Sequence, residues 1–402
     1  MIVSKQQAPV DCEVLVVGGG ITGTAAAYYL SRECPSVVLV EERDLNTQAS
    51  GRNAGSLHGQ LQFEPYRTRG REWATAFVPA LRFLADSIAV WQGLGAELGE
   101  DLEVSVQGGL LVADTEEQAD LVTRKVELEN AAGFPTEMVS GAELRRLAPY
   151  LSPATVAAEF APTEGKGNPL LAAPALARAA ARNGARICAA TATRSVQPDG
   201  TGFVVDTSRG RIHCDRVVLA AGGRLAGLAG PLGITVPVHD EPVQVHATEP
   251  VQPVIPHLVY YAGGRLTLKQ ARAGTLLIGG GWPAEIDPTT SHPTVSAHSM
   301  RSNLRVAARV VPWIGSVNVI RAWAGIGHAT PDLLPIIAQS PIASGVFAGI
   351  FPHMGFTAGP LMGQVLAALA LGLDPGRDLA PFAADRFPPS SGPVLPPGTE
   401  KG

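Results

Sequence analysis

The sequence predicts an α/β fold with a second, β-rich part inserted into it. Three observations carry this. An apolar run, Val14-Leu-Val-Val17, ends in Gly18-Gly-Gly-Ile-Thr-Gly23 and is answered by Ser36-Val-Val-Leu-Val-Glu41, which reads strand, tight turn, helix, strand. A second apolar strand, Val217-Val-Leu-Ala-Ala-Gly-Gly223, also closes on small residues. Residues 234–282 instead alternate repeatedly and place Pro and Gly at turns, the pattern of an antiparallel sheet.

Each element follows in order. Ile21 to Arg32 is an Ala-rich helix carrying Tyr28 and Leu30, and residues 46–62 form a loop of small and polar residues. Trp73, Phe77, Leu81, Leu84, Ile88 and Trp91 recur at spacings of three and four, so 71–95 is a long helix with one apolar stripe. Val104 to Ala113 reads as a hairpin around Gly108-Gly109. Thr115 to Ala132 is helical, with Glu116 and Glu117 where the helix dipole favours them. Pro169 to Asn183 is a helix stopped by Gly184, and Arg186 to Arg194 a strand. Thr294 to Val311 is a helix, 317–327 and 345–350 are strands, and Phe356 to Leu371 closes the chain with a helix whose N-terminus is glycine-rich. The reading divides the chain into one discontinuous domain (1–80, 150–233 and 324–386), a second domain (81–149 and 234–323) and a Pro-rich flexible tail (387–402).

Composition narrows the function. With 402 residues, 46% hydrophobic and 17% charged, the chain is long enough for a sizeable core. A net charge of −5 without a basic block gives no reason to expect nucleic acid. No apolar run reaches membrane-spanning length, and Met1 to Cys12 is polar and lacks a signal pattern, so a cytoplasmic protein is expected. Cys12, Cys34, Cys188 and Cys214 show no CxxC and no metal spacing, so neither a disulfide, a metal site nor an iron–sulfur cluster is expected. His239-Asp240 invites a metal reading, but neighbours on a strand point apart.

The opening unit carries the chemistry. Gly18 makes the tight turn, Gly20 admits a pyrophosphate to the backbone, and Gly23 brings helix and strand together. The helix N-terminus then offers unpaired N–H groups to phosphate. Glu41 lies 23 residues beyond Gly18, near the interval of about 20 at which an acid meets the adenosine ribose. The unit therefore reads as a dinucleotide site.

Four further segments give the chain a resemblance to the flavin-dependent D-amino acid oxidase superfamily, which includes glycine and sarcosine oxidases. They are Ala49-Ser-Gly-Arg-Asn-Ala-Gly55, Asn168-Pro169 opening a helix, Val217-Val-Leu-Ala-Ala-Gly222, and Trp323-Ala-Gly-Ile-Gly-His-Ala-Thr-Pro-Asp-Leu-Leu-Pro335 followed by Gly349-Ile-Phe-Pro-His-Met-Gly-Phe-Thr-Ala-Gly-Pro360. The resemblance covers nearly the full length. It implies a Rossmann-like FAD-binding domain with an inserted antiparallel-sheet substrate domain roofing the flavin. Position by position, it implies that Gly18, Gly20, Ile21, Thr22, Gly23, Glu41, Glu42 and Arg43 hold the ADP half, and that Val196 lies near the adenine. Ala49, Ser50, Gly51, Arg52, Asn53, Ala54, Gly55, Ser56 and Leu57 would run along the flavin and pyrophosphate, which Ala221 and Gly222 also approach. Gly325, Gly327, His353, Met354, Gly355, Phe356 and Thr357 would complete the cofactor site, bound without a covalent link.

The chain departs from the simple oxidases where they carry substrate-gripping arginines: those positions hold Gly327, followed by His328, and about His353. Either Arg265, Lys269 or Arg272 meets the substrate's acid, or the substrate has none at that spot. The loop wording and Glu164-Gly-Lys-Gly-Asn-Pro-Leu170 look closer to catalytic β subunits of heteromeric dehydrogenases acting on opines, hydroxyproline, sarcosine or glycine. That likeness implies partner subunits with an iron–sulfur or FMN carrier.

The activity implied is oxidation of the C–N bond of an amino acid or secondary amine by hydride transfer to flavin N5, which needs orientation and a dry site more than acid–base equipment. His58, His353, His328, Tyr260 and Lys269 are the catalytic candidates. His58 and Lys269 have plain alternatives, a bond to a backbone carbonyl and a solvated strand end, and Trp323 is read as packing. Tyr260 and Tyr261 face opposite ways, so one touches substrate and the other is core. Glu241 and Gln244 are candidates for the substrate cavity. A flavoprotein hydroxylase shares the opening fingerprint but adds a late Gly-Asp, where this chain reads Ala348-Gly-Ile-Phe-Pro352. The other alternative is an FAD-bearing subunit active only inside a heteromer.

Overall fold

The computed structural model describes residues 11–388. The expected tail lies outside the described residues from 389 onward, as does the N-terminal segment before residue 11. The chain divides into two compact units: residues 11–51, Leu170–Glu241 and 327–388 form the first, Arg52–Pro169 and Pro242–Ile326 the second. The sequence reading had placed 52–80 and 150–169 with the first. They belong to the second because the helix Phe63–Leu98, kinked at Gly70 (φ 74), carries 63–80 with its C-terminal arm. Gly165–Lys166 likewise pairs with Ser56–Leu57 and Ser105–Val106.

The first unit is built on one sheet. Asp11–Val17 pairs in parallel with Val37–Val40 on one side and Gly210–Leu219 on the other. Arg186–Cys188 extends one edge and the antiparallel strands Gly202–Thr207 and Thr193–Asp199 the other. Val346–Ile350 runs parallel to Gly210–Leu219 and pairs with Ile336–Gln339. The central strands are runs of Val and Leu because both faces are covered; Val14, Leu15, Val217 and Val218 have no exposed surface. On one face the helix Ile21–Leu30 packs between Ala172–Arg182 and Gly355–Leu371. Glycine makes the second contact possible: a Cβ on Gly363 would stand 2.6 Å from the backbone N of Ala26.

The expected strand Arg186 to Arg194 is two strands, because Ala190 takes a left-handed φ of 51° between them. Cys12, Cys34, Cys188 and Cys214 are free and buried.

The second unit holds a sheet in the order Val319–Ala329, His239–Pro250, Thr275–Gly279, Thr267–Gln270, Leu258–Tyr261, Gly109–Ala113, Ala157–Ala161, Glu137–Ser140, the first two strands being shared with the first unit at one end. It is not purely antiparallel, since Leu258–Tyr261 runs parallel to Gly109–Ala113. The expected hairpin over 104–113 does not form. Gly108 (φ 90) turns the chain, so that Ser105–Val106 pairs with Gly165–Lys166 while Gly109–Ala113 enters the large sheet. One face of the sheet (Leu110, Val112, Val259, Leu268, Ile278) packs with Ala307 and Val310 of the helix Ala297–Val310. The other (Leu111, Ala113, Ala157) packs with Ala119, Val122 and Val126 of the helix Glu116–Ala131, capped by Thr115.

Phe63–Leu98 is long and apolar enough, by length and composition, to cross a bilayer. The sequence reading expected no such segment. Its apolar stripe (Phe77, Leu81, Leu84, Ile88, Trp91) is instead buried in the second unit, which is what an amphipathic core helix does with it.

Candidate cofactor cradle and active-site groups

In the first unit the glycine turn has the shape a dinucleotide requires. Gly18 has φ 115°, and a Cβ there would enter the carbonyl of Ala220, while one on Gly23 would enter the carbonyl of Gly18. Gly20 caps the helix Ile21–Leu30 without a side chain, and the first helical N–H, from Ile21, donates to Ser50 Oγ over 3.0 Å. Thr22 follows in the same first turn. Glu41 ends the second strand, its carboxylate accepting the Gly19 N–H over 2.7 Å and the Arg43 N–H over 2.9 Å. Glu42 next to it pairs with Arg224. A negative group at a helix N-terminus built this way meets oriented N–H dipoles, with the Ser50 hydroxyl beside them.

Val196 is buried in the strand Thr193–Asp199, opposite Val205. The residues that close on Glu41 and Arg43 are Thr191 and Ala190, whose N–H groups donate to their carbonyls over 2.7 Å each. The bend at Ala190 that makes this possible has no signature in the sequence.

Ala221 and Gly222 (φ 54) lead out of the strand Gly210–Leu219. A Cβ on Gly223 would strike the His328 ring. His328 and His353 are joined through the backbone, the His353 N–H donating to the His328 carbonyl over 3.0 Å. His353 takes a left-handed φ of 52°, a strained state for a non-glycine residue. Met354 then caps Gly355–Leu371, with Phe356 and Thr357 in its buried first turn. Each imidazole has an acidic neighbour: His328 Nδ1 lies 3.0 Å from Asp240 Oδ1, His353 Nδ1 3.5 Å from Glu241 Oε2, and His239 Nε2 3.2 Å from Glu241 Oε1. Among the described residues no group of three or more His, Cys, Asp or Glu is arranged to hold a metal ion.

In the second unit, the loop Arg52 to Leu57 is fixed by its own residues. Arg52 donates to the Ala324 carbonyl and accepts the Trp323 indole N–H at 2.7 Å, so Trp323 anchors this loop, and a Cβ on Gly325 would press on Arg52. Asn53 Oδ1 accepts the Gly55 N–H across Ala54, and Gly55 has φ 80°. Ser56 Oγ accepts Lys269 Nζ over 2.6 Å. Lys269 is 1% exposed, not solvated at a strand end, and burial, with Lys166 nearby, pushes its ammonium down to about 7.

Tyr260 and Tyr261 face opposite ways. Tyr261 bonds Asp114, itself paired with Arg309. Tyr260 lies on the face of Thr267 and Leu111, its ring 5.9 Å from that of His58. Its hydroxyl sits between His58 Nδ1 at 2.7 Å and Glu164 Oε1 at 2.9 Å. Burial pushes Glu164 up to about 7, against three donors that pull it down: the Gly59 N–H, the Gln60 amide and Tyr260.

The remaining candidates are committed elsewhere. Gln244 is buried and holds Ser296 through both its amide atoms. Arg272 is exposed and paired with Asp101, and Arg265 reaches the Gly281 carbonyl. Sequence reasoning missed Glu164 and the charges behind it, Lys125, Glu129 and Glu159, because their pairing spans up to about a hundred residues and leaves no local pattern.

Residues 13–369 match the family model DAO, described as FAD dependent oxidoreductase. Glycine oxidase of Geobacillus kaustophilus is 31% identical over 93% of this chain and 97% of that protein. Sarcosine oxidase subunit beta of Rhizobium meliloti is 28% identical over 93% of this chain and 88% of that protein. The crystal structure of glycine oxidase from Geobacillus kaustophilus superposes with a TM-score of 0.83 at 27% identity, covering 94% of this chain and 100% of that one.

Proposed function

This chain belongs to the DAO family of FAD-dependent oxidoreductases, and from that premise we propose that it oxidises the C–N bond of an amino acid or secondary amine by hydride transfer to flavin N5. Bound FAD supplies the hydride acceptor. The observation that carries the reading is the glycine-built cradle, with Gly18, Gly20 and Gly23 clearing the helix N-terminus and Glu41 closing the strand beside it. Those residues would hold the ADP half without a covalent link, with Ala190 and Thr191 fixing Glu41 and Arg43. The relatives named for glycine, sarcosine and opines support this substrate class, which as we propose it also takes in D-amino acids and hydroxyproline.

The grip on substrate differs from an arginine clamp. Gly327 leaves no side chain, and His353 stands against Glu241 rather than presenting a guanidinium. Glu241 with its two imidazoles favours a substrate that brings a hydrogen-bond donor or a cation to this place. A second reading, a subunit that passes electrons to a partner, is favoured by the match to a protein named subunit beta over 93% of this chain.

The test is a dye-coupled assay with glycine, sarcosine, D-amino acids, hydroxyproline and opines, scoring the carbonyl product. Product from at least one amine, with dye reduced in proportion, is expected. No product from any of them, with the chain carrying FAD and with partner subunits supplied, refutes the amine reading.

A further inference from the structure

The strands of the first unit set the course a dinucleotide takes across it. Where Val40, Val17, Leu219 and Ala348 stand level, four parallel strands lie in the order Val37–Val40, Asp11–Val17, Gly210–Leu219, Val346–Ile350. Dinucleotides bind along the carboxyl ends of such strands. With its adenosine ribose on Glu41 and its phosphates on the glycine turn, the cofactor would carry its other half past the third strand end and then the fourth. The third end adjoins the turn directly: the Ala220 N–H donates to the Val17 carbonyl over 2.9 Å.

His328 stands at that third end. A Cβ on Gly223 would lie 2.5 Å from its Cε1 and 3.2 Å from its Nε2, and one on Gly222 would lie 3.7 Å from Nε2. Two residues without side chains thus make room for one imidazole. The His328 carbonyl, accepting the His353 N–H, ties it to the segment that leaves the fourth strand.

The ring is held from one side. Nδ1 lies 3.0 Å from Asp240 Oδ1, and Asp240 keeps 63% of its side chain in water. An ionised carboxylate only accepts, so Nδ1 carries the hydrogen, and in the neutral ring Nε2 then holds a lone pair that needs a donor. Among the described residues none bonds it. Glu241 stands between His239 and His353, and Arg224, next to Gly223, is paired with Glu42. The His328 side chain is 17% exposed, so the ring is not sealed in.

Between its phosphates and its flavin ring FAD carries a chain of hydroxyl groups, each able to donate. We propose that His328 is a cofactor-binding residue whose Nε2 accepts a hydrogen bond from a hydroxyl of that ribityl chain, while Asp240 holds the ring as the Nδ1–H tautomer. This rests on the FAD reading of the cradle and not on which amine reacts. The direction is fixed along the row, from hydroxyl to Nε2 and from Nδ1–H to carboxylate, and no proton is transferred. Asp240 is a positioning residue. His328, a catalytic candidate in the sequence, is thereby assigned to holding the cofactor.

ADP and FAD share the half that meets Glu41 and the glycine turn, and only FAD has the hydroxyl chain. Two measurements on the full chain, freed of flavin and titrated with each, use that difference. Long-range proton–nitrogen spectra of protein labelled with nitrogen-15 histidine, assigned with His328→Gln, read the ring directly. The Nδ1–H tautomer is expected at His328, with the Nε2 signal moved into the hydrogen-bonded range by FAD and left in place by ADP. Asp240→Asn is expected to lose the tautomer preference, which a merely structural Asp240 would leave intact. An Nε2–H tautomer in the wild type, or an Nε2 signal that FAD leaves unmoved or ADP moves as far, overturns the proposal. By calorimetry, His328→Ala is expected to weaken FAD about 3- to 10-fold, the worth of one neutral hydrogen bond, and to leave ADP unchanged. FAD affinity equal to wild type, or FAD and ADP weakened alike, contradicts it. Neither measurement needs an amine, so an unreactive amine panel strikes the proposed activity alone. A chain that takes up no FAD strikes the cradle and this proposal together.

Discussion

The Glu41 carboxylate accepts the Gly19 N–H over 2.7 Å, so the acid that ends the second strand is bonded directly to the glycine turn that ends the first. The turn and the acid are thus one device, and the cofactor site depends on both. Glu41→Ala removes a charge-assisted bond worth about 1.5–3 kcal/mol as well as the proposed ribose acceptor. The dissociation constant for FAD is expected to rise about 10- to 100-fold, read by quenching of flavin fluorescence on titrating apoprotein. Unchanged affinity would place the ribose elsewhere.

Helix packing on the first unit's sheet makes a second prediction. A Cβ on Gly363 would meet the backbone N of Ala26 at 2.6 Å, whereas one on Gly359 would meet side-chain rather than backbone atoms, those of Ile21. Gly363→Ala is expected to lose about 1–3 kcal/mol and Gly359→Ala less, measured by urea unfolding. The reverse order would mean the two helices can slide apart.

The buried charges of the second unit make a third. Lys125 has no exposed surface, and although burial disfavours its charge, Glu129 and Glu159 hold its pKa above the ordinary lysine value. Lys125→Met leaves two buried acids without a counter-charge and is expected to cost about 3–5 kcal/mol. Adding Glu159→Gln should restore part of it, a coupling visible in a double-mutant cycle. Strict additivity would show that the pair does not interact.

Lys269 sets a pH dependence. Its folded value of about 7 lies below the unfolded 10.5, so between those values the unfolded chain binds more protons and stability rises with pH. The cost of burying the charge is present in full below pH 7. Relative to Lys269→Met, the wild type should therefore gain stability from pH 7 to about 10, by at most about 1.4 kcal/mol per unit. Parallel stability curves would mean that the amine is not titrating in this window.

Local signals made the cradle readable. Apolar strands flank the glycines, and the interval to Glu41 is fixed by the length of one helix and one strand. Thr115 announces its helix by capping it, its side-chain oxygen accepting the Gln118 N–H. The hairpin expected over 104–113 failed because alternation names a strand and not its partner, and the partners here are Gly165–Lys166 and Leu258–Tyr261. The network behind His58 was invisible for a related reason. In sequence Lys125 and Glu129 are just two charges four residues apart on a helix, and nothing local tells that the strand Ala157–Ala161 brings Glu159 against them in the interior.

The most direct measurement of the central claim is anaerobic mixing of the purified, FAD-loaded chain alone with the amine panel while its visible flavin absorption is followed. The account predicts that at least one amine bleaches the band in a single turnover and that acid precipitation afterwards releases all the flavin from the polypeptide. A chain that stays colourless with added FAD would contradict the account at the cradle. A yellow chain that no amine bleaches, alone or with partner subunits, would contradict it at the reaction.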